Sequence, residues 1–183
     1  MVSFNVEVWR SRALARYRRT AATGRPDPDE GYQRDLIAID GLARVIGWCE
    51  GKQHEVIFDS RYGAEYDGST RRFRVNGRAK PETQLYLLLH ECGHYLIGYP
   101  QRGERFSEGY SSHAIPGGKR RLIYRIDVLD EELEAWHRGR RLGARLGAKI
   151  DKAAFDKLRT ECIKNYAKWA VKVDGYGEID GET

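Results

Sequence analysis

His90-Glu91-Cys92-Gly93-His94 puts two imidazoles and a carboxylate within one short stretch of chain. Histidines four apart share one face of an α-helix about 6 Å from each other, so both rings can reach a single divalent cation. Glu91 then sits one step round the cylinder, where it can take a proton from a cation-bound water without being a ligand. The chemistry such residues could do is metal-assisted hydrolysis, and the expected ion is Zn2+.

Short patterns with two free positions also occur by chance, so the surroundings must decide. Leu85, Tyr86, Leu87, Leu88 and Leu89 precede His90. They predict that the polar trio is buried, and three buried polar groups without a partner are costly. A metal ion supplies the partner.

Catalytic zinc takes three protein ligands and leaves one position for water. The spacing predicts a helix over about Val128 to Leu146, carrying Asp130, Glu131, Glu132 and Glu134. At about 100° per residue, Glu132 falls with Val128, Leu129, Ala135, Trp136 and Gly139 on the apolar and small-residue side. Glu134 falls with Asp130, Glu131 and Arg138 on the solvent side. Glu132 is therefore the favoured third ligand, with His113 and Glu131 as competitors. Ala135, Gly139 and Gly143 would let this helix lie close to the one bearing the histidines.

The remaining elements are support. Residues 6 to 20 predict a basic amphipathic helix with Trp9 and Ala13 on one side, and 1 to 27 read as a basic N-terminal extension. Asp27-Pro28-Asp29-Glu30 is a helix start, which predicts a helix from Pro28 to Gly47 with Leu36, Ile39, Ala43 and Ile46 facing the core. His54 to Phe58, Ala64 to Tyr66 and Arg71 to Asn76 are short and β-prone, and predict a small antiparallel sheet. An edge strand beside a metal helix could take an extended peptide as an added strand. Pro81 opens the histidine helix, and Gly98 with Pro100 ends it. Residues 99 to 124 read as a long polar loop, a candidate substrate wall or lid. A last helix, about 151 to 173, carries Phe155, Leu158, Cys162, Tyr166 and Trp169 as a packing stripe. Residues 28 to 173 form the main domain and 174 to 183 a flexible tail.

Hydrophobic content of 40% and charged content of 32% describe a chain that folds, and no stretch reaches the ~18 apolar residues of a membrane span. The N-terminus lacks the apolar run of a secretory signal, so the expected location is cytoplasmic. Cys49, Cys92 and Cys162 are too few and too scattered for a disulfide framework, and read as reduced core thiols. Net charge of +5 permits nucleic acid as a partner but does not require it, since the basic runs lack interleaved aromatics.

The order of helix, small sheet, His90-Glu91-x-x-His94 helix and Glu132-bearing helix resembles a compact gluzincin metallopeptidase, and within that group the ImmA/IrrE-like zinc peptidases. The second motif of that family commonly reads Glu-x-Glu-Ala and stands here as Glu132-Leu133-Glu134-Ala135. The resemblance implies an α+β zincin-like (minigluzincin) fold with extra terminal helices, and His90, His94 and Glu132 as zinc ligands. It also implies Glu91 as general base and acid, and a protein or peptide substrate. The chain departs from the family at Trp136-His137-Arg138-Gly139, which leaves subfamily and substrate open. SprT-like zincins, which use a third histidine and act at DNA, are the alternative resemblance, and their third ligand would be His113. Candidates to stabilise an oxyanion are Tyr110, His113, Tyr124 and Arg125. A rival of another class is a zincin-fold binding module with little turnover.

Overall fold

The computed structural model describes residues 4–22, 28–61, 63–98 and 122–171. Its elements run α1 (Val6–Ala21), α2 (Pro28–Gly51), β1 (Glu55–Phe58), β2 (Ala64–Asp67), β3 (Arg72–Val75), α3 (Pro81–Gly98), α4 (Leu122–Arg145) and α5 (Lys152–Ala170). The fold is α+β, with five helices and a small mixed three-stranded sheet among the described residues.

α3 is the axis. Leu85, Leu88, Leu89 and Cys92 are fully buried along it, and α2, α4 and the sheet enclose it. Its start is tied down by Gln84, whose buried Nε2 donates to the Asn76 carbonyl at 2.9 Å. α2 lies on one side through Ile39, Leu42, Val45 and Cys49, and α1 docks on α2 with Trp9 and Ala13. The basic charge of α1 is partly answered there, since Arg10 pairs with Asp40 and Arg16 with Asp35. Cys92 faces α2, its Sγ 3.6 Å from that of Cys49, and both are free thiols, as expected of core cysteines.

The sheet departs from the expected antiparallel arrangement. Strand order is β1-β3-β2, with β2 and β3 antiparallel but β1 and β3 parallel. Alternation in a sequence fixes which side chains face the core but not the direction of the neighbouring strand. Here the Asp67 carboxylate ties the backbone N–H groups of Ser69 and Thr70 into a tight β2–β3 hairpin, and β1 is left to pair with the far side of β3. Phe73 and Val75 therefore lie on the central strand, and β2 is the edge nearest α3. Arg72 opposite Glu55 and Arg74 opposite Glu65 form ion pairs between register partners.

α4 begins at Leu122, six residues before the expected start at Val128, and α2 extends to Gly51. Tyr124 and Arg125 give the extra turns something to pack on, because both meet Trp169 of α5. At the other end Gly147 adopts a φ of 70°, and the Ala148 N–H bonds the Gly143 carbonyl. The chain then re-enters at Asp151, which caps α5 through the Ala154 N–H and donates its own N–H to the Tyr86 hydroxyl of α3. Most of the polar loop, with His113 and Tyr110, and the C-terminal tail lie outside the described residues.

Candidate metal centre

α3 and α4 cross with almost no gap. A Cβ on Gly93 would fall 1.9 Å from the Ala135 carbonyl oxygen, and one on Gly139 would fall 2.1 Å from that of Leu89. Both neighbours are backbone, so only glycine fits at either point. Arg138 stitches the same pair of helices, donating from Nη1 to the Leu96 carbonyl at 2.7 Å and from Nε to Glu134 at 2.8 Å. The small-residue stripe expected of α4 is thus used, and its counterpart is Gly93, a free position of the histidine motif.

This crossing brings Glu132 to the histidines. The Nε2 atoms of His90 and His94 are 3.2 Å apart. Glu132 places Oε2 3.2 Å from the first and Oε1 3.5 Å from the second. Four-coordinate zinc with bonds of ~2.0–2.1 Å holds neighbouring ligand atoms about 3.3 Å apart, so the three donors already stand at ligand spacing. Glu132 Oε2 is buried, and beyond the 3.2 Å approach of His90 Nε2 no hydrogen bond satisfies it among the described residues, which suits a carboxylate oxygen at a candidate cation site. His90, His94 and Glu132 form a group able to hold a metal ion, the one such group found among the described residues.

The supporting contacts hold the rings in place. Trp136 stacks on His90 at 4.4 Å and 20°, fixing its plane. The Glu131 carboxylate lies 3.4 Å from His94 Nδ1, a carboxylate–histidine arrangement that would leave Nε2 available to a metal ion. Glu131 is therefore not on the solvent side of α4, as its position on the helical wheel suggested. It backs a ligand. The wheel missed it because residues 131 and 132 straddle the crossing, Glu131 toward Nδ1 of His94 and Glu132 toward Nε2. Of the other histidines, His54 is a core residue bonded to the Tyr66 hydroxyl, and His137 is exposed beside Glu134.

The electrostatics divide the groups by role. Burial lowers the pKa of His90, with Glu132 opposing. Burial also disfavours charge on His94, yet hydrogen bonds to Glu131 and Glu132 outweigh it and lift the ring to about 10. Glu132 is held ionised against its own burial by the two histidines. Glu91, buried at 6% exposure, is raised by burial to about 7, with His94 pulling the other way and the Tyr66 backbone N–H bonding its ionised form. A carboxylate poised near neutrality beside a candidate metal ion is suited to accept and return a proton. Tyr66 lies on β2, so the edge strand runs past Glu91.

Comparisons with protein-family models, with curated proteins and with solved structures returned no match to this chain. Activity is therefore read from the site itself. Tyr166, expected only to pack, has its phenol pKa raised by burial and by the neighbouring Glu132 charge.

Proposed function

We propose that the chain is a zinc-dependent peptidase with a zincin-like arrangement of the compact gluzincin kind, the ImmA/IrrE-like pattern being the nearest. The observation that carries this reading is the convergence of three ligand atoms at zinc spacing beside a buried carboxylate near neutrality. A glutamate in the third place, reaching both histidines, favours the gluzincin pattern over the three-histidine one.

Zn2+ held by His90, His94 and Glu132 would lower the pKa of its water toward ~7 and polarise a substrate carbonyl. The chain's own residues do the rest. Glu91 accepts the water proton as the carbonyl is attacked, and delivers it to the leaving amine. Its raised pKa allows both transfers near neutral pH. β2, an edge strand of the sheet among the described residues, can align an extended peptide across the site by main-chain hydrogen bonds. The substrate is a protein or peptide.

The test is a proteome-derived peptide library incubated with the purified protein and read for new termini by mass spectrometry. Wild type should generate termini that vanish under chelation and return with Zn2+. Glu91→Gln should keep stoichiometric zinc and lose at least ~10²-fold in rate, the usual contribution of a positioned general base. Termini that persist in Glu91→Gln at the wild-type rate, or none from zinc-loaded wild type, would refute the peptidase and leave the binding module.

A further inference from the structure

A cavity lies apart from the candidate metal centre, where α2, the start of α3 and the link from α4 to α5 meet. Its volume is about 200 Å3, and neither a proposed ligand nor Glu91 lines it. α2 supplies Ile37 and Ala38, α3 supplies Leu85, and the link supplies Ile150. These make an apolar floor. Ala38 and Leu85 are buried in it, whereas Ile37 is left 40% exposed.

Charges of both signs line the same space. Glu82 and Asp151 are drawn together at the Tyr86 hydroxyl, which donates to Glu82 at 3.1 Å and accepts the Asp151 N–H at 3.1 Å. Asp151 also caps α5 through the Ala154 N–H. Each carboxylate uses one oxygen in these bonds, and the other has no hydrogen bond among the described residues. Arg34 and Lys149 are the opposing pair. Arg34 engages Glu30 through one nitrogen and has further N–H donors. Lys149 is exposed and has no ion-pair partner among the described residues. Because Asp151 is tied to both α5 and α3, the acidic side is set before any ligand arrives, which lowers the cost of binding.

Size and charge together select the ligand. Drug-sized molecules occupy clefts of ~300 Å3 or more, so a nucleotide or a long peptide does not fit. A dry cavity of ~150 Å3 takes benzene, so the space here suits one apolar side chain with a small head group. A lone carboxylate would meet Glu82 and Asp151, and a lone amine would meet Arg34 and Lys149; such like-charge meetings reject a ligand. A molecule carrying both charges answers both pairs. We propose that this cavity is a binding site for a free apolar α-amino acid, with its carboxylate toward Arg34 and Lys149, its ammonium toward Glu82 and Asp151, and its side chain over Ile37 and Leu85. The site needs no metal and is separate from the hydrolytic one.

The test is calorimetric titration of the full-length protein with L-leucine and L-phenylalanine. Each is run beside its analogues of single charge: 4-methylpentanoate and 3-methylbutylamine for leucine, 3-phenylpropanoate and phenethylamine for phenylalanine. The expected result is one saturable site for at least one amino acid, with both of its analogues weaker by about tenfold or more, the usual loss for a hydrogen bond to a charged group. Lys149→Glu and Ile37→Asp change exposed positions, and each should weaken binding by about tenfold or more at the wild-type melting temperature. Chelation should leave the affinity unchanged. The proposal is overturned if neither amino acid binds saturably, if the analogues bind as tightly, or if either variant keeps both wild-type stability and wild-type affinity. Loss of binding on chelation also overturns it, since the amino acid would then sit at the metal centre as a hydrolysis product. A protein that holds no zinc leaves the expected titration as it stands, so the two sites fail separately.

Discussion

Gly139→Ala isolates the closest point of the whole arrangement. The added methyl would lie 2.1 Å from the Leu89 oxygen and 2.6 Å from its carbon, where Cβ atoms keep at least 3.0 Å. The shortfall of 0.9 Å is against backbone inside α3, so no side chain can swing away to absorb it. α3 and α4 must separate. Overpacking of this kind costs ~1–3 kcal/mol. Replacing glycine by alanine in a helix interior returns ~1 kcal/mol. The net is a destabilisation of up to about 2 kcal/mol, or up to roughly 8 °C in melting temperature for a chain of this size.

The larger consequence falls on the metal. Glu132 is on α4 and the histidines are on α3, with donor atoms 3.2 and 3.5 Å apart. Opening the crossing by about the same 0.9 Å carries the carboxylate beyond tetrahedral spacing, and zinc affinity should fall by an order of magnitude or more. Chelator competition measures the affinity and thermal melting the stability. Gly47→Ala is the control: its Cβ would meet nothing within 4 Å, and it should raise stability by ~0.5–1 kcal/mol without touching the metal. A Gly139→Ala protein that melts at or above the wild-type temperature and binds zinc equally well would refute the close-crossing argument.

Two further outcomes test the ligand set and its protons. Glu132→Ala should abolish stoichiometric zinc, while His113→Ala retains it, as read by metal analysis after dialysis; retention in Glu132→Ala would reject the ligand assignment. His94 is lifted to about 10 by its two carboxylates, so near pH 7 it carries a proton that a metal must displace. Zinc binding should release about one proton and tighten by up to tenfold per pH unit until about pH 10. In the metal-free protein the sign is opposite: the stabilisation from protonated His94 is complete below pH 6.5 and is lost as pH rises through about 10. Calorimetry in buffers of different ionisation enthalpy counts the proton, and a count of zero contradicts the ion-pair description.

α3 is legible to the residue because its limits are chemical: Pro81 can start a helix but not continue one, and Gly98 can end it. Glu132 was legible because the period of α4 puts it with Ala135 and Trp136. Distant partners set what was missed. The first six residues of α4 form a helix against Trp169, more than forty positions away in the chain, and no local period announces that. Strand direction was invisible for the same reason, since β1 pairs with β3 only after β2 has folded back. Gly93 occupies a free position of the motif, and its meaning appears only beside the small residues of α4. The adjacent acids Glu131-Glu132 did hold a signal: at a helix crossing, neighbours can serve as ligand and as the partner of another ligand.

Stability alone gives no account of this centre. Taking His94 and Glu132 out of water costs several kcal/mol per ion, and their mutual attraction offsets that only where geometry and further hydrogen bonds are good. Apolar residues of similar volume would serve a core at least as well. Yet the polar group sits against Trp136, beside a glycine crossing and an arginine stitch. Glu91 lies beside it, buried and with its pKa raised by that burial to about 7. A cation with an open position would turn each of these costs into a contribution, which supports the proposed metal site.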